Sequence, residues 1–206
     1  LGYVLKAMQS KGSDSAPGRR RGPRSDAARN ADKLLAAARA LVEKSGPDVA
    51  FDEIARRAGV GNATLYRHFP SRGDLLVAVY ADEVTSLCDR GIALLGGSPP
   101  LDALFAWLDA FVVHVATKRA LALAATAQPS GDRTELFAQW HDSICTTATG
   151  LLTRAQEAGA VGPEITVRDV LALASGAALT ATDTEHAREL VGYLREGLST
   201  RHREAP

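Results

Sequence analysis

A chain of 206 residues, 46% of them apolar, can build one large or two small domains with a substantial core, and no stretch reaches the roughly 18 unbroken apolar residues of a membrane span. The formal net charge of zero conceals a division: residues 1 to 75 carry fourteen Lys/Arg against eight Asp/Glu, whereas residues 76 to 206 carry ten against sixteen. A basic half fits a polyanionic partner and leaves the acidic half for another task. Cys88 and Cys145 are too few for a disulfide framework, and free thiols suit a reducing compartment, so a soluble cytoplasmic protein with no membrane partner is expected. The opening LGYVLKAMQS makes a poor signal peptide because Lys6 interrupts its apolar run. Met8 is the sole methionine, which suggests translation starting there or at a non-standard start codon; a native mass that includes residues 1 to 7 would exclude Met8.

Residues 1 to 27, with GSDSAPGRRRGPRSDA at their end, offer almost no large apolar side chain to offset the entropy of ordering, and a disordered basic arm is expected. From Ala28 the pattern changes, and Leu34, Leu35, Ala38, Leu41 and Val42 recur at helical spacing until Gly46-Pro47. FDEIARRAG then predicts a short helix with Phe51, Ile54, Ala55 and Ala58 inward, stopped by Gly59, with Val60 plugging the angle that follows. In the next segment Leu65 and Phe69 face inward, which leaves Asn62, Ala63, Thr64, Arg67 and His68 on the outer side or its flanks and Tyr66 at the border. Pro70 closes it, and Ser71 with Asp74 forms a capping pattern that opens a long helix through Leu75, Leu76, Val79 and Val84. The remainder is helical, broken at GGSPP, QPSGD and AGAVGPEIT, with capping pairs expected at Asp132/Glu135, Thr166/Asp169 and Thr182/Glu185. No alternating β-pattern, hairpin signal or internal repeat competes, so an all-α fold is expected.

Two short helices joined by a tight glycine turn, the second with a polar and aromatic outer face, match a helix-turn-helix whose second helix enters the DNA major groove. The side chains suit that task. Thr64 offers a hydroxyl and a methyl to base edges, Asn62 a pairing to adenine, and Arg67 a pairing to guanine or phosphate. Tyr66, His68 and Arg72 suit phosphate oxygens, the last beside the N-H groups of a helix start. Arg19, Arg20, Arg21 and Arg24 of the arm would add phosphate or minor-groove attraction.

FDEIARRAGVGNATLYRHFPSRGDLL resembles the N-terminal signature of the TetR family of transcriptional regulators, densely so over about residues 28 to 80: an isoleucine-alanine pair, an alanine-glycine-valine turn, a threonine-leucine-tyrosine, a histidine-phenylalanine and a serine-basic pair before two leucines. The resemblance implies an all-α homodimer: a three-helix DNA-binding head over residues 28–74, then a larger helical body, 75–206, that binds a small-molecule effector and dimerises. It implies that Thr64, Tyr66 and His68 face double-stranded DNA, and that Arg72 takes the place of a phosphate-gripping lysine. The chain departs from the family pattern at Ala50, where threonine commonly caps the helix, at Gly61, a usual serine, and at Asn62, a frequent lysine. Asp48 is expected to cap in place of Ala50 or the helix end to fray, and the base-contacting register to shift with the caps.

In the body, Leu101, Leu104, Leu108, Phe111 and Val115 form one inward stripe, with Trp107 and His114 on an adjacent face, and Phe137, Trp140, Ile144, Ala148 and Leu151 form another. Trp107, Phe111, His114, Phe137, Trp140 and Ile144 are the candidate walls of an effector cavity, against the simpler reading of each as ordinary core. In the last two helices Ala174, Gly176, Ala177 and Ala178 allow close approach while Leu171, Leu179, Leu190, Val191 and Leu194 supply apolar contact; Leu171, Ala174, Ala178, Leu190, Val191 and Leu194 are the candidate dimer interface, the resemblance implying a four-helix bundle between subunits. Such a dimer reads a palindromic operator, its two recognition helices about 34 Å apart.

An enzyme is not expected. His141, Asp142 and Ser143 hold the letters of a hydrolase triad, but adjacent helical positions diverge by about 100° and cannot converge. His141 and Cys145 share a helix face and could begin a metal site with Cys88 or His114, yet no second close pair completes a zinc spacing, so neither metal nor cofactor is expected. The closer rival is a dimeric DNA-binding protein with no effector. About 130 residues of body exceed what dimerisation alone requires, which favours sensing.

Overall fold

The computed structural model describes residues 23–46, 48–126 and 131–201, and among them every regular element is a helix. They are α1 (Pro23–Ser45), α2 (Phe51–Ala58), α3 (Asn62–His68), α4 (Arg72–Gly97), α5 (Pro100–Thr126), α6 (Gly131–Glu157), α7 (Val167–Thr180) and α8 (Thr184–Arg201). The described residues divide into two compact units, one within 23–82 and 120–126, the other within 83–119 and 131–201.

In the first unit α1 opens at Pro23, five residues before the onset expected from apolar periodicity. Proline's fixed φ suits a first helical turn, and Asp26 pairs with Arg29 at 3.4 Å along it. Ala31, Leu34 and Ala38 are fully buried. They meet α2, whose Ile54 and Ala55 are buried while Phe51 and Ala58 are only half-buried. Ala50 stands at the start of α2 without a side-chain cap. Asp48 does not replace it; its carboxylate pairs instead with Arg72 at 3.2 Å. α2 ends at Gly59, left-handed at φ 65°, where the N-H groups of Gly59 and Val60 donate to the carbonyls of Arg56 and Ala55. After this turn Leu65, 0% exposed, and Phe69, 2% exposed, pin α3 into the unit. Ser71 and Asp74 cap α4 reciprocally, and Leu75, Leu76 and Val79 continue the core.

The second unit buries Leu104, Trp107, Leu108 and Val112 of α5 against Ala148, Leu151, Leu152 and Ala155 of α6, with Val170, Ala174 and Ala178 of α7 and Ala187 and Val191 of α8 closing the core. The Trp107 indole N-H donates to the Leu87 carbonyl of α4 at 3.0 Å, so this large core side chain is also polar-satisfied. Thr166 and Asp169 form the expected capping box of α7. At α8 the cap differs from expectation: Asp183, not the Thr182/Glu185 pair, accepts the N-H groups of Glu185 and His186 at 3.0 and 2.9 Å. The Asp132 side chain of the third expected cap lies outside the described residues.

Candidate nucleic-acid interface

α3 is seven residues long, and burial of Leu65 fixes which way it faces. Asn62, Ala63, Tyr66 and Arg67 are exposed, and Thr64 and His68 half-exposed, so the structure brings these six together on the wet side of one short rod. Gly61 precedes it in extended conformation without a side-chain cap, so Asn62 is the first helical residue.

The wet face is organised by contacts. Tyr66 keeps 52% of its surface exposed while its ring lies 5.3 Å from that of Phe51, tilted 46°, a contact that supports the aromatic body. Arg67 Nη2 donates to Thr64 Oγ1 at 3.3 Å, one turn back along the helix. Asn62 Nδ2 donates to Asp52 Oδ1 at 2.8 Å. Partial burial, and secondarily the charge of Arg67, push the His68 pKa below its ordinary value, which favours the neutral imidazole. Arg56 is exposed but locked on Glu53 by bonds of 2.6 to 3.0 Å, so its charge is balanced within α2. Phe51 and Asp52, in the first turn of α2, support this face although the sequence pattern assigns neither to it and places Phe51 inward. No periodicity marks Asp52, ten residues before its partner.

Chemically, α3 offers a donor-acceptor amide, a hydroxyl with a methyl, a phenol, a guanidinium and an imidazole on a surface a single helix wide, which fits base edges and flanking phosphates of a major groove. The N-terminal part matches the family model for bacterial regulatory proteins of the tetR family over residues 34–79, and the C-terminal part matches that of the SbtR-like transcriptional regulator C-terminal domain over residues 99–200. A TetR transcriptional regulator from Streptomyces coelicolor is 34% identical, with a TM-score of 0.70 over 82% of this chain and 98% of that one. The chain belongs to the TetR family. A TetR regulator from Mycobacterium vanbaalenii is 32% identical, with a TM-score of 0.66 over 86% of this chain and 99% of that one. The HTH-type transcriptional activator FasR of Mycolicibacterium smegmatis is 40% identical over 75 residues, which are 35% of this chain and 33% of that protein, so the chain spans only about a third of that curated relative. As a TetR-family member the chain is a transcriptional regulator, with α2, the Gly59 turn and α3 as its DNA-binding helix-turn-helix.

Arg19, Arg20 and Arg21 lie outside the described residues; Arg24 falls within α1 rather than in an arm, its side chain likewise outside them. Among the candidate effector contacts, Trp107 and Trp140 are fully buried and Phe111 and His114 nearly so, while Phe137 and Ile144 are partly exposed. Trp107 stacks on Phe111 at 5.4 Å and Phe137 meets Trp140 edge-on at 4.9 Å, forming two aromatic pairs. Two surface hollows of about 380 and 270 Å³ are lined by other residues, the larger by Asp102, Phe105, Asp109, Arg188 and Arg195 among them. Of the candidate dimer contacts, Ala174, Ala178 and Val191 are buried within the protomer, where they join the core that α7 and α8 close over α5 and α6. Leu171, Leu190 and Leu194 are half-buried, and the large apolar side chains left exposed on α7 and α8 are Leu173, Leu179 and Tyr193. His141 Nε2 and Cys145 Sγ are 3.5 Å apart, and among the described residues no group of three metal-ligating side chains forms.

Proposed function

We propose that the protein acts as a two-fold dimer that occupies a palindromic operator through α3 and represses transcription until a small-molecule effector in the helical body releases it. The observation that carries the reading is the α3 face: Leu65 and Phe69 hold the rod while Asn62, Thr64, Tyr66 and Arg67 stay accessible. The exposed Leu173, Leu179 and Tyr193 supply a face for a second copy. The aromatic pairs around Trp107 and Trp140, with His114 as a polar handle, are the place for an apolar effector with one polar group. Release requires tighter effector binding to the state that cannot hold DNA, and a hundredfold difference corresponds to about 2.7 kcal/mol.

Activation is the second reading, favoured by the 40% identity over 75 residues with a protein named as an activator. Selection of bound sequences from a random DNA library, followed by a metabolite screen for release and a transcription assay on the winning site, tests all parts at once. A palindromic winner, released by a metabolite with a rise in transcript, is expected. A fall in transcript on release would replace repression by activation. If no metabolite releases the protein and ligand screens find no bound compound, the effector is lost and a constitutive DNA-binding dimer stands in its place.

A further inference from the structure

We propose that Asp52 is a positioning residue for base readout: its carboxylate holds the Asn62 amide in the one orientation that selects adenine. The inference rests on the reading of α3 as the recognition helix.

The bond runs between the first turn of α2 and the first residue of α3, across the Gly59 turn, at 2.8 Å. A carboxylate only accepts hydrogen bonds, so it must face the NH2 end of the amide, and the orientation of Asn62 is fixed by chemistry. One N-H is used on Asp52. The other N-H and the carbonyl oxygen remain, a donor beside an acceptor. Adenine presents N7 as acceptor and N6 as donor on its major-groove edge and takes this pair in full, whereas guanine presents two acceptors, N7 and O6, and would face the amide oxygen with one of them. An amide free to turn over could offer its NH2 group to guanine instead. Asp52 removes that freedom.

A carboxylate beside a polyanion also repels it, so this latch costs general affinity while it adds selectivity, a combination that a purely structural acid would not produce. The neighbouring Phe51 acts in parallel, since its ring supports Tyr66. Consecutive residues of α2 thus fix two separate groups of the reading helix.

The test uses the full-length chain and sequence selection from randomised DNA, with thermal melting of each variant. Wild type is expected to select adenine at one position of each half-site. Asp52→Asn, which keeps shape but lets the pair turn over, should lower the adenine preference there at least fivefold while binding to unrelated DNA holds or strengthens. Asn62→Ala should lose the same preference, and the double change Asp52→Asn with Asn62→Ala should lose no more than Asn62→Ala alone. The exchanged pair, Asp52→Asn with Asn62→Asp, keeps a donor on α2 and puts an acceptor-only group on α3, so the preference should move from adenine to cytosine, whose N4 donates; it decides the matter even if a single variant melts early. Adenine selection that survives Asp52→Asn but not Asn62→Ala overturns the proposal and leaves the recognition helix intact. A change at a cytosine position in Asp52→Asn alone also overturns it, since Asp52 would then read a base itself. If neither Asn62→Ala nor Thr64→Val alters any base preference, the recognition-helix reading fails first.

Discussion

Gly59 sits at φ 65°, a conformation that costs a residue with a Cβ about 1 kcal/mol or more, although nothing crowds the place a Cβ would occupy. Gly59→Ala should therefore lower the melting temperature through backbone strain alone, and calorimetry should show the loss without any local repacking. Leu65→Ala removes a fully buried anchor and should cost about 2–5 kcal/mol, with DNA affinity falling because the wet face loses its fixed direction. His68 gives a pH signature. Its folded pKa lies below the unfolded value of about 6.5, so the unfolded chain takes up the proton first; stability is full above that pH and declines as pH falls through it. His68→Gln should lose less melting temperature than wild type between pH 7.5 and 5.5, and an equal loss would remove His68 from the account. These single positions were legible early because each declares itself locally: a glycine where a turn must reverse, and a leucine and a phenylalanine four apart in a polar segment. The Asp52–Asn62 and Phe51–Tyr66 contacts were not, since they depend on the angle between two helices.

Helix ends were legible where the capping pattern matched a break in the chain. Thr166 and Asp169 follow one, and the carboxyl of Asp169 is held below its ordinary range first by the Thr166 hydroxyl. At α8 the same pattern misled, because Asp183, one residue after Thr182, presents a carboxylate to the free N-H groups of Glu185 and His186, and an anion at a helix start outcompetes a hydroxyl. The start of α1 was missed for the opposite reason: residues 23–27 carry no large apolar side chain, so periodicity is silent where a proline and an acid already favour helix. Between elements, the contact that decides spacing is Gly91 of α4. A Cβ there would stand 2.2 Å from Thr147 Cγ2 of α6 and 3.0 Å from the Trp107 ring of α5. Gly91→Ala should destabilise by about 1–3 kcal/mol through overpacking. Thr147→Ser deletes the obstructing methyl, so combining it with Gly91→Ala should recover part of the loss in melting temperature. Strict additivity of the two changes would mean that α4 simply moves aside.

For the whole molecule, the question the sequence could not answer is which side of α7 and α8 points outward. Both sides are apolar: Ala174, Ala178 and Val191 on one, Leu173, Leu179 and Tyr193 on the other, with small residues throughout. Hydrophobic periodicity marks a buried face but does not tell a core from an interface, and the packing of α7 and α8 onto their own unit shows only which of these residues join the protomer's core. That division makes the proposed dimer testable by two kinds of variant. Leu173→Glu with Tyr193→Glu places charges on the exposed face, where a monomer tolerates them and an interface does not. Sedimentation should show a folded monomer with an unchanged helical spectrum. Its affinity for a palindromic site should fall far more than its affinity for a single half-site, because joining two heads makes the second contact intramolecular. Ala174→Glu instead drives a charge into the protomer's core and should unfold the second unit at any protein concentration. A double variant that stays dimeric would move the interface elsewhere, and the exposed apolar residues of α7 and α8 would then need a different partner.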